Sequence, residues 1–497
     1  MKSISAPLTL LTVVLFAGAV AVAEQPAAPV YPFAMCSNGG FIRNKEYPIA
    51  MMDTGARMVR VDGGFINARR MPGDDPNAWS WTDFDGIRRV KGEYPELSFL
   101  PILGYCPPWA AEPGAENSKL AGRPRGLDVM PANDPKNLFG HFVYEAVRRY
   151  KDVCHDWESW NEPDLPGHAY FIGGGKEFFA LQKTCYLAAK AADPNCNVVF
   201  AGMCYGNFEG YLNLHGLKAP SISPPTECFF EDYLKECMTD PQAKANHYYF
   251  DTMNQHSYSR ASDLYDYVAV DRKLMTDYLG DEGKSKPIWI TEMGWPDKPG
   301  PFGGTEDEYC DYILQSYAWG KLAGVQRFFH FQLDNSNGHG LYYQIPKKIK
   351  PALLSYRDVL THEFADVTSI TQLHGRPGVG FLEGNSAYVP TWLSGYNAFE
   401  FTTAKGRRLL MAFADTDKEI VVHLPAKAAR ATLIDRVNHR TPIEAKDGKY
   451  TVKLEGATNV AGWPSIDNPK AKAMGQAEHL VGGATIVIVE EAEASQK

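Results

Sequence analysis

The 497-residue chain lacks the features that mark several classes of protein. It has no run of basic residues, and its formal net charge is −9 with a pI of about 5.8, so nucleic acid is not an expected partner. It has no C-x-x-C pair, so a zinc or redox motif is not indicated. No coarse internal repeat is visible either. Its content of 44% hydrophobic and 12% aromatic residues is typical of a globular protein.

Only the N-terminus carries a long apolar run. Lys2 precedes the stretch PLTLLTVVLFAGAVAVA, which is followed by the acidic and proline-containing EQPAAP. The small residues Ala21-Val22-Ala23 fit a cleavage site, so residues 1–23 are predicted to be a signal peptide and the mature chain to begin at Glu24. The strongly apolar part is short for a bilayer span. We therefore expect a secreted or periplasmic protein whose mature form does not associate with a membrane.

Nine cysteines are spread along the chain, and an exported protein can hold disulfides. Because the count is odd, at least one thiol must remain unpaired. Cys228 and Cys237 lie in a predicted loop insertion and are candidates for one bridge. Buried free thiols are the alternative, and the spacing does not decide between the two.

Between residues 31 and 365, eight short β-rich runs alternate with helical patterns. Helical spacing is clearest in GGGKEFFALQKTCYLAAKAADP, and Thr305 with Glu308 has the form of a capping box. The alternation predicts an α/β fold, a (β/α)8 TIM barrel, although a doubly wound parallel sheet would show the same order of elements. The predicted strands are YPFAMC, RMVRVD, LSFLPILGY, WESWNE, NVVFAGM, FDTMNQHSY, PIWITE and VQRFFHFQ.

The texture of the sequence changes after residue 370, where helical spacing largely disappears. Short alternating runs such as AFEFTT, RLLMAFAD and EIVVHLP are separated by Gly, Asp, Asn and Pro, and KDGKY has the form of a hairpin turn. We predict a C-terminal antiparallel β-sandwich over residues 371–490, after a barrel at 31–365. Longer insertions at 106–135 and 205–245 are expected on the barrel face where loops build binding sites.

Two glutamates end predicted strands of the barrel, where reactive side chains project. Glu162 in WESWNEPDLP ends the fourth strand, and Glu292 in IWITEMGWP ends the seventh. Two facing carboxylates are what glycosidic cleavage requires, because one donates a proton to the leaving oxygen while the other attacks the anomeric carbon or activates water. Glu158 lies deeper in the fourth strand and is expected to have a buried partner. Asp164 follows that strand and is expected to face solvent.

The motifs at these strand ends resemble those of a known group of enzymes. WNEP at the fourth strand, HSY at the sixth and ITEMGW at the seventh look like the motifs of clan A (4/7 superfamily) retaining glycoside hydrolases. The WESWNEP setting, the third strand PILGYCPPWA and the trailing β-domain are most similar to glycoside hydrolase family 39 and its relatives, which include β-xylosidases and α-L-iduronidases. NEP alone is a weak motif, but the three motifs in order at matching strand ends are specific. The resemblance covers residues 31–490.

The resemblance implies a role for each matching residue. Glu162 would be the general acid/base and Glu292 the nucleophile. Asn161 would hydrogen-bond the sugar 2-hydroxyl, a contact expected to strengthen in the transition state. The remaining substrate-binding residues implied are Arg60 and Tyr258, which would orient Glu292 and keep it ionised, and His256, which would line the same pocket.

The chain departs from the clan pattern at the eighth strand. Clan members usually offer a Trp there as a sugar platform, whereas this chain reads RFFHFQLDN. Phe329, His330 and Phe331 are the substitutes at this position. Trp109 and Trp295, next to the third and seventh strand ends, could stack on a sugar instead, so these two residues and His330 are also candidate substrate-binding residues.

The expected function is that of an exported retaining O-glycoside hydrolase, which cleaves β-linked oligo- or polysaccharide by double displacement without a metal or other cofactor. One alternative is a carbohydrate-binding barrel that has lost catalysis, which the intact Asn161, Glu162, Tyr258 and Glu292 disfavour. Another alternative is a transglycosylase that uses the same two glutamates. β-Xylosides, β-glucans and β-galactosides all remain open as substrates.

Overall fold

The computed structural model describes residues 31–38, 40–62, 64–68, 79–114, 122–167, 169–217, 224–298, 304–335, 338–375, 395–459 and 480–491. The predicted signal peptide, residues 1–23, lies outside these ranges. Within them, no helix is both long enough and apolar enough to cross a membrane.

All eight predicted barrel strands are present, and they pair in parallel. They are β1 (Phe33–Ser37), β2 (Met58–Asp62), β3 (Ser98–Ile102), β4 (Asp156–Glu158), β5 (Asn197–Val199), β6 (Met253–Ser257), β7 (Ile288–Met293) and β8 (Arg327–His330). The sheet order is β5-β4-β3-β2-β1-β8-β7-β6, and parallel bridges from Val199 to Thr252 and from Met203 to Gln255 join its two edges. The sheet is therefore closed, and the predicted (β/α)8 TIM barrel is confirmed.

Helices cover the outside of the barrel, as the sequence pattern predicts. They are α1 (Glu46–Asp53), α2 (Gly64–Ala68), α3 (Thr82–Glu93), α4 (Leu138–Tyr150), α5 (Gly175–Ala192), α6 (Tyr205–Leu214), α7 (Phe229–Thr239), α8 (Asp263–Leu279), α9 (Asp281–Ser285), α10 (Glu306–Leu322), α11 (Pro351–Leu354) and α12 (His362–Phe364), with a π-helical stretch at Ser355–Thr361 between the last two. The predicted capping box begins α10. The hydroxyl of Thr305 accepts from the backbone N–H of Glu308 at 3.2 Å, and the Glu308 carboxylate accepts from the backbone N–H of Thr305 at 2.9 Å.

The inside of the barrel is filled by two layers of side chains with different chemistry. Met58 on β2 belongs to an apolar layer, and Arg60, two residues further on, belongs to a polar layer nearer the carboxyl end of the strand. Trp289 and Thr291 make the same step on β7. Every second residue of a strand faces the same side, so each strand can contribute to both layers. The apolar layer consists of Ala34, Cys36, Met58, Leu100, Val199, Trp289 and Phe329.

Antiparallel strands follow the last barrel strand; the first two lie within residues 31–365, where none was predicted, and the others form the predicted C-terminal region. They are β9 (Tyr342–Gln344), β10 (Lys348–Ile349), β11 (Val367–His374), β12 (Tyr396–Thr403), β13 (Arg408–Ala414), β14 (Ile420–Pro425), β15 (Arg430–Asp435), β16 (Arg440–Glu444), β17 (Lys449–Leu454) and β18 (Ile486–Glu490). Six of them form one sheet in the order β11-β12-β13-β18-β15-β16, and β14 pairs with β17 in a second sheet. The C-terminal antiparallel β region is thereby confirmed, while the exact limits 31–365 and 371–490 stay a prediction.

The centre of the six-stranded sheet is buried on both faces, whereas its edge strands β11 and β16 are largely exposed. On β13, Leu410 and Ala412 join a core shared with the two-stranded sheet, whereas Leu409 and Met411 join the core of the barrel. This alternation explains why all seven residues of β13 are buried. Two packed sheets form the sandwich, and the barrel covers the outer face of the six-stranded sheet at its centre.

Helix α10 forms the main contact between the barrel and the sandwich. Asp311 accepts a hydrogen bond from the backbone N–H of Thr485 at 2.7 Å and lies 3.1 Å from Nη1 of Arg436. Gln315 donates to the carbonyl of Gly483 at 3.1 Å. Because the sandwich covers its outer side, α10 is buried on all sides from Glu308 to Gly320.

All nine cysteines are buried free thiols in the structure. Cys228 and Cys237, the candidate bridge, lie at the start and in the last turn of α7. They are nine residues apart, which along a helix is about 13 Å. A disulfide requires Cα atoms within about 7 Å, so the proposed bridge is incorrect and the free-thiol alternative holds.

We expect a thiol titration to count nine free thiols per chain after unfolding in guanidinium without reductant, and few or none in the native protein. Burial raises the pKa of Cys106, Cys196, Cys237 and Cys310 to about 12, so these thiols stay protonated as well as inaccessible. Ellman's reagent provides the measurement. Seven thiols in the unfolded protein, together with a single disulfide-linked peptide in a proteolytic digest, would contradict the structure.

Candidate active site

Arg60 on β2 organises the polar layer of the barrel and is only 4% exposed. Its guanidinium makes two hydrogen bonds to Glu158 of β4, from Nε at 2.6 Å and from Nη2 at 2.9 Å. Nη1 donates to Glu292 of β7, and Nη2 also donates to Asn161 at 2.8 Å. The buried partner expected for Glu158 is thus confirmed. Burial acts to lower the pKa of Arg60, but the two carboxylates raise it well above its usual value, so the cation persists.

Glu292 faces the barrel interior because β7 contains one extra residue. In the pairing of β7 with β6, Ile290 lies opposite Gln255 and Glu292 lies opposite His256, so Thr291 is the extra residue. The register with β8 shifts at the same place. A bulge of this kind changes the face that the following side chains take, and bulges are frequent at barrel rims beside functional sites. Thr291 and Glu292 are therefore consecutive, yet both contact the polar interior.

Three neighbours stabilise the ionised form of Glu292. Arg60 donates to Oε1, the hydroxyl of Tyr258 donates to Oε2, and Nδ1 of His256 lies 3.9 Å from Oε2. Burial acts to raise the pKa of Glu292. The charges of His256 and Arg60 and the hydrogen bonds from Tyr258 and Arg60 outweigh burial, so the pKa lies below the usual glutamate value. Burial, followed by the charge of Glu292, raises the pKa of Tyr258 well above its usual value, so its hydroxyl keeps the proton that it donates.

Glu162 adopts a backbone conformation that is rare for a residue with a side chain. Its φ is +40°, in the left-handed region, which costs a non-glycine residue on the order of 1–3 kcal/mol. Two hydrogen bonds hold this conformation: its N–H donates to the carbonyl of Gly202 at 2.9 Å, and its carbonyl accepts from the N–H of Leu165 at 3.2 Å. Such strain persists only where the surrounding structure imposes it, and here it accompanies a carboxylate that faces a cavity.

His256 of β6 connects Glu162 to the polar layer. Its Nδ1 lies 3.0 Å from Oε1 of Glu162, and its Nε2 lies 2.9 Å from the hydroxyl of Thr291. The ring lies directly against Gly202, where a Cβ atom would be 2.0 Å from Nε2, so only glycine admits the imidazole. Burial acts to lower the pKa of His256, but the charge of Glu292 and the hydrogen bond to Glu162 raise it above its usual value.

The two carboxylates and the imidazole lie close enough to share one ligand. One oxygen of Glu162, one nitrogen of His256 and one oxygen of Glu292 all lie within 4.8 Å of one another. Three such atoms could reach a single metal ion. However, both oxygens of Glu292 already accept hydrogen bonds, and the guanidinium of Arg60 beside them would repel a cation. The arrangement therefore suits a pair of reacting carboxylates better than a metal centre.

A cavity of about 570 Å³ lies over these groups, a volume in the usual range for small-ligand sites. Its described lining is largely aromatic and carries three carboxylates, and no lysine or arginine is among these residues. Apolar ring faces combined with hydrogen-bond acceptors suit a ligand that has both apolar faces and hydroxyl donors. The lining residues are Glu162, Leu165, Tyr170, Cys204, Tyr205, Glu209, His256, Tyr258, Ser259, Tyr267, Glu292, Phe331 and His339.

Six of the residues expected at the site are brought together by direct contacts, and three are not. Arg60 and Asn161 are joined to the site by the hydrogen bonds of Arg60, although they are not among the described residues that line the cavity. Trp109, Trp295 and His330 are not among the described lining residues either. Trp295 is fully buried and stacks on Tyr312 of α10 at 5.5 Å, and Trp109 packs on Phe65 at 5.8 Å. These rings fill the space between loops and helices, so the expected stacking on a sugar is not supported. The six that converge are Arg60, Asn161, Glu162, His256, Tyr258 and Glu292.

Alternation along β8 explains the position of His330. Phe329 lies in the apolar layer inside the barrel, so His330 faces outward, where its Nε2 hydrogen-bonds with the hydroxyl of Tyr309 at 2.6 Å. Burial, together with the charge of His339, lowers the pKa of His330 to about 3, so its ring is neutral. Phe331, the next inward residue, lines the cavity and meets the Tyr258 ring edge-on at 5.6 Å. Phe331 therefore occupies the place expected for the missing Trp platform.

Five of the cavity residues were not predicted from the sequence, because they do not lie at the ends of predicted strands: Tyr170, Tyr205, Glu209, Tyr267 and His339. They come from loops and helices that follow the strands. Tyr205 and Glu209 belong to α6, inside the insertion at 205–245 that was expected on this face.

Asp164 does not face solvent as expected. Its two carboxylate oxygens accept hydrogen bonds from the backbone N–H groups of Cys204 and Asn207, each at 2.8 Å. These contacts cap the first turn of α6 and attach it to the loop that carries Glu162.

Comparison with known proteins identifies the fold. A family 39 glycoside hydrolase from the gut symbiont Bacteroides cellulosilyticus WH2 has a TM-score of 0.63 and 12% identity over 93% of this chain and 81% of that chain. A family 39 β-xylosidase from Caulobacter crescentus has a TM-score of 0.54 and 13% identity over 94% and 98% of the two chains. The catalytic domain of a family 30 xylanase C from Talaromyces cellulolyticus has a TM-score of 0.54 and 11% identity over 93% and 97%.

No protein-family model and no curated protein matches the sequence. The fold implied by the resemblance to clan A glycoside hydrolases is thus confirmed by three-dimensional structure. At identities of 13% and below, that likeness shows the shared fold.

We expect Arg60→Met to lower the free energy of unfolding by about 3–5 kcal/mol at neutral pH, because it leaves Glu158 and Glu292 as unpaired buried charges. Urea titration followed by tryptophan fluorescence would measure the change. The matched control is Arg88→Met, which removes an ion pair to Asp152 on the surface and should cost at most about 1 kcal/mol.

The loss in free energy of unfolding caused by Arg60→Met should also depend on pH. The pKa of Glu292 is lowered in the folded wild type, so its ionised form stabilises the fold above the unfolded value of about 4.3, and this contribution is lost as pH falls through the lowered folded pKa. The gap between wild type and variant should therefore stay wide above about pH 4.3 and narrow as pH falls below that value. A gap that is constant across this window would contradict the assigned pairing.

Proposed function

We propose that the protein is an exported retaining O-glycoside hydrolase that cleaves β-glycosidic bonds in oligo- or polysaccharide. Glu162 is the general acid/base, and Glu292 is the nucleophile. The fold that it shares with family 39 and family 30 glycoside hydrolases supports a carbohydrate substrate. The site chemistry supports the assignment of the two glutamates.

The separation of the two carboxylates is the observation that carries the proposal. Oxygen atoms of Glu162 and Glu292 approach within 4.8 Å. Retaining glycosidases hold their two carboxyl groups about 5–5.5 Å apart, whereas inverting enzymes leave about 6.5–9.5 Å for a water molecule between them. The short separation supports direct attack by one carboxylate on the anomeric carbon.

In the first step, the Glu292 carboxylate attacks the anomeric carbon while the bond from that carbon to the leaving oxygen breaks. Glu162 transfers its proton to the leaving oxygen, and a covalent glycosyl ester on Glu292 results. Glu292 suits this task because Arg60, Tyr258 and His256 hold it ionised and fix its direction. A nucleophile that is ionised before the substrate binds does not have to lose a proton during the reaction.

In the second step, Glu162, now a carboxylate, takes a proton from water as the water oxygen attacks the same carbon. The ester bond breaks, Glu292 becomes a carboxylate again, and the sugar leaves with its original configuration. Each glutamate ends in the state in which it began, and no proton is gained or lost overall.

His256 is the group that can exchange a proton with Glu162, because its Nδ1 is hydrogen-bonded to that carboxylate. The hydroxyl of Thr291 donates to Glu158 at 3.3 Å, so it accepts from Nε2–H of His256. The hydrogen bond between Nδ1 and Glu162 then carries one proton, either as a carboxylic acid on a neutral ring or as a carboxylate on an imidazolium. In both forms this proton is available to Glu162.

Asn161 is the group we assign to the sugar 2-hydroxyl. Its Oδ1 accepts from Arg60 at 2.8 Å, which fixes the orientation of the amide so that the NH₂ group is the donor to the substrate. A hydrogen bond at the 2-hydroxyl that strengthens as charge develops on the ring lowers the barrier of both steps.

The variants Glu292→Ala and Glu162→Ala should differ in which step of the reaction they lose. Glu292→Ala should reduce turnover of an aryl β-glycoside by at least about 10⁴-fold, because no group remains to form the glycosyl ester. Glu162→Ala should keep the first step for a substrate with a good leaving group such as 2,4-dinitrophenolate, since that group needs no proton. Its slow second step should be accelerated by azide, which attacks without a base, and the product should be the β-glycosyl azide.

Stopped-flow kinetics and NMR of the azide product provide the measurements, with Glu231→Gln on α7 as a control carboxylate outside the cavity. Formation of an α-glycosyl azide would contradict the retaining mechanism. Wild-type rates in Glu292→Ala would contradict the assignment of Glu292 as the nucleophile. Binding of oligosaccharide without any product would indicate a carbohydrate-binding barrel. A glycoside formed with an added acceptor sugar in place of the free sugar would indicate a transglycosylase.

Tyr258→Phe should lower kcat/KM by about 10- to 100-fold, because it removes a hydrogen bond to an ionised group. It should also move the acid limb of the pH profile of kcat/KM upward, since the hydroxyl is one of the groups that lower the pKa of Glu292. Initial rates from pH 3 to 8 would measure both effects. Tyr312→Phe, which removes a buried hydroxyl that donates to the carbonyl of Ser257 at 3.2 Å, is the matched control and should leave the acid limb unchanged.

A further inference from the structure

The cavity contains a polar group that the proposed reaction does not use. Glu209 on α6 lines the same cavity as Glu162 and Glu292, and it is only 2% exposed. Ser259 and Tyr267 line the cavity as well, and their hydroxyls are 3.0 Å apart. Glu209 therefore adds a third carboxylate to the lining of the cavity.

We propose that Glu209 determines substrate specificity by accepting hydrogen bonds from the hydroxyls of a neutral sugar, and that the cavity therefore discriminates against uronic acids and sulfated sugars. This inference rests on the proposed function and deepens it, because it names the substrate class of the same site.

Glu209 is held in a fixed position relative to Glu162. Asp164, two residues after Glu162, caps the first turn of α6 through the backbone N–H groups of Cys204 and Asn207. The side chain of Asn207 then anchors α6 to two further helices. Its Oδ1 accepts from the backbone N–H of Phe230 on α7 at 2.9 Å, and its Nδ2 donates to Asp271 on α8 at 3.2 Å. A sugar that places its anomeric carbon at Glu292 therefore meets Glu209 in one defined geometry.

The hydroxyls beside Glu209 remain neutral. Burial raises the pKa of Tyr267 well above its usual value, and the charges of Asp263 and Glu209 raise it further. Tyr267 and Ser259 can therefore donate or accept hydrogen bonds but do not supply a positive charge. The nearby cation Arg260 is buried and pairs with Asp263 at 2.8 Å.

The charges along the described lining decide which class of sugar fits. Glu162, Glu209 and Glu292 line the cavity, and no lysine or arginine is among the described lining residues. Arg60 and His256 offset the charges of Glu292 and Glu162, so the argument concerns the part of the cavity at Glu209. A uronate or sulfate group placed there would bring an anion beside a carboxylate in largely apolar space, where like charges repel more strongly than in water. A neutral sugar brings hydroxyl donors, and hydrogen bonds from hydroxyls to carboxylates are stronger than those between neutral groups.

The test compares substrates that differ only in charge at one carbon. Aryl β-D-glucoside is paired with aryl β-D-glucuronide, and aryl β-D-galactoside with aryl β-D-galacturonide. We expect wild-type kcat/KM for the neutral member of the better-cleaved pair to exceed that for the acid by at least about 100-fold. Glu209→Gln should lower kcat/KM for the neutral sugar about tenfold and should reduce the ratio between the pair by at least about tenfold.

Two further variants separate specificity from folding. Glu209→Asp keeps the charge but shortens the side chain, so KM should rise while the discrimination against the acid remains. Glu231→Gln changes a buried carboxylate of α7 that accepts a hydrogen bond from Tyr278 at 2.8 Å, and it should leave both the ratio and KM unchanged. Thermal melting of each variant shows whether it is folded.

A binding measurement keeps this inference independent of turnover. Calorimetric titration of the wild type and of Glu209→Gln with glucose, galactose and xylose, and with glucuronate and galacturonate, requires no catalysis. If no glycoside is cleaved but the neutral sugars bind and lose affinity in Glu209→Gln, the proposed hydrolysis fails while the role of Glu209 stands.

Three results would overturn the inference. The first is a uronide that is cleaved or bound within tenfold of its neutral partner by the wild type. The second is a folded Glu209→Gln protein in which both KM and the ratio are unchanged. The third is a preference for an aryl β-D-glucosaminide over both members of its pair, which would assign the Glu209 carboxylate to an ammonium group instead of hydroxyls.

Discussion

The site depends on one cation placed between two carboxylates inside the barrel. Arg60, Glu158 and Glu292 are all buried, and each would be costly there alone. Together they form a network in which the guanidinium uses Nε, Nη1 and Nη2 to join strands β2, β4 and β7. This network fixes the direction of Glu292 before any substrate enters. A site whose groups are held in place in advance spends less of the binding energy on ordering them.

Two departures from regular geometry complete the arrangement, and both occur at the carboxylates. The bulge at Thr291 turns Glu292 to the inside of β7, and the positive φ of Glu162 accompanies a side chain that faces the cavity from the loop after β4. In contrast, the apolar layer below follows the plain alternation of strands. The regular part of the barrel thus provides rigidity, and the irregular positions set the directions of the two carboxylates.

The same contrast explains what could be predicted from the sequence. Strands and helices follow from hydrophobic period, so all eight barrel strands and the antiparallel C-terminal strands were predictable, as was the buried partner of Glu158. The alternation of inward and outward residues along β8 could also have excluded His330 from the predicted site, since Phe329 and Phe331 on either side of it face inward. The buried position of Trp295 could not be predicted in this way, because the bulge at Thr291 breaks the alternation of β7 just before it. The cavity residues on α6 were beyond it too, since their approach to Glu162 arises from the cap that Asp164 provides.

The two glutamates have the same side chain, and their neighbours alone distinguish them. Glu292 accepts hydrogen bonds from a cation and from a phenol that keeps its proton, so the ionised form is favoured. Glu162 is hydrogen-bonded to Nδ1 of His256, whose other nitrogen is engaged by Thr291. One carboxylate is therefore surrounded by groups that hold it as an anion, and the other by a group that can lend it a proton. Different environments are the usual basis for assigning the nucleophile and the acid/base among paired carboxylates. The proposed roles of the two glutamates rest on the residues that β2 and β6 place beside each of them.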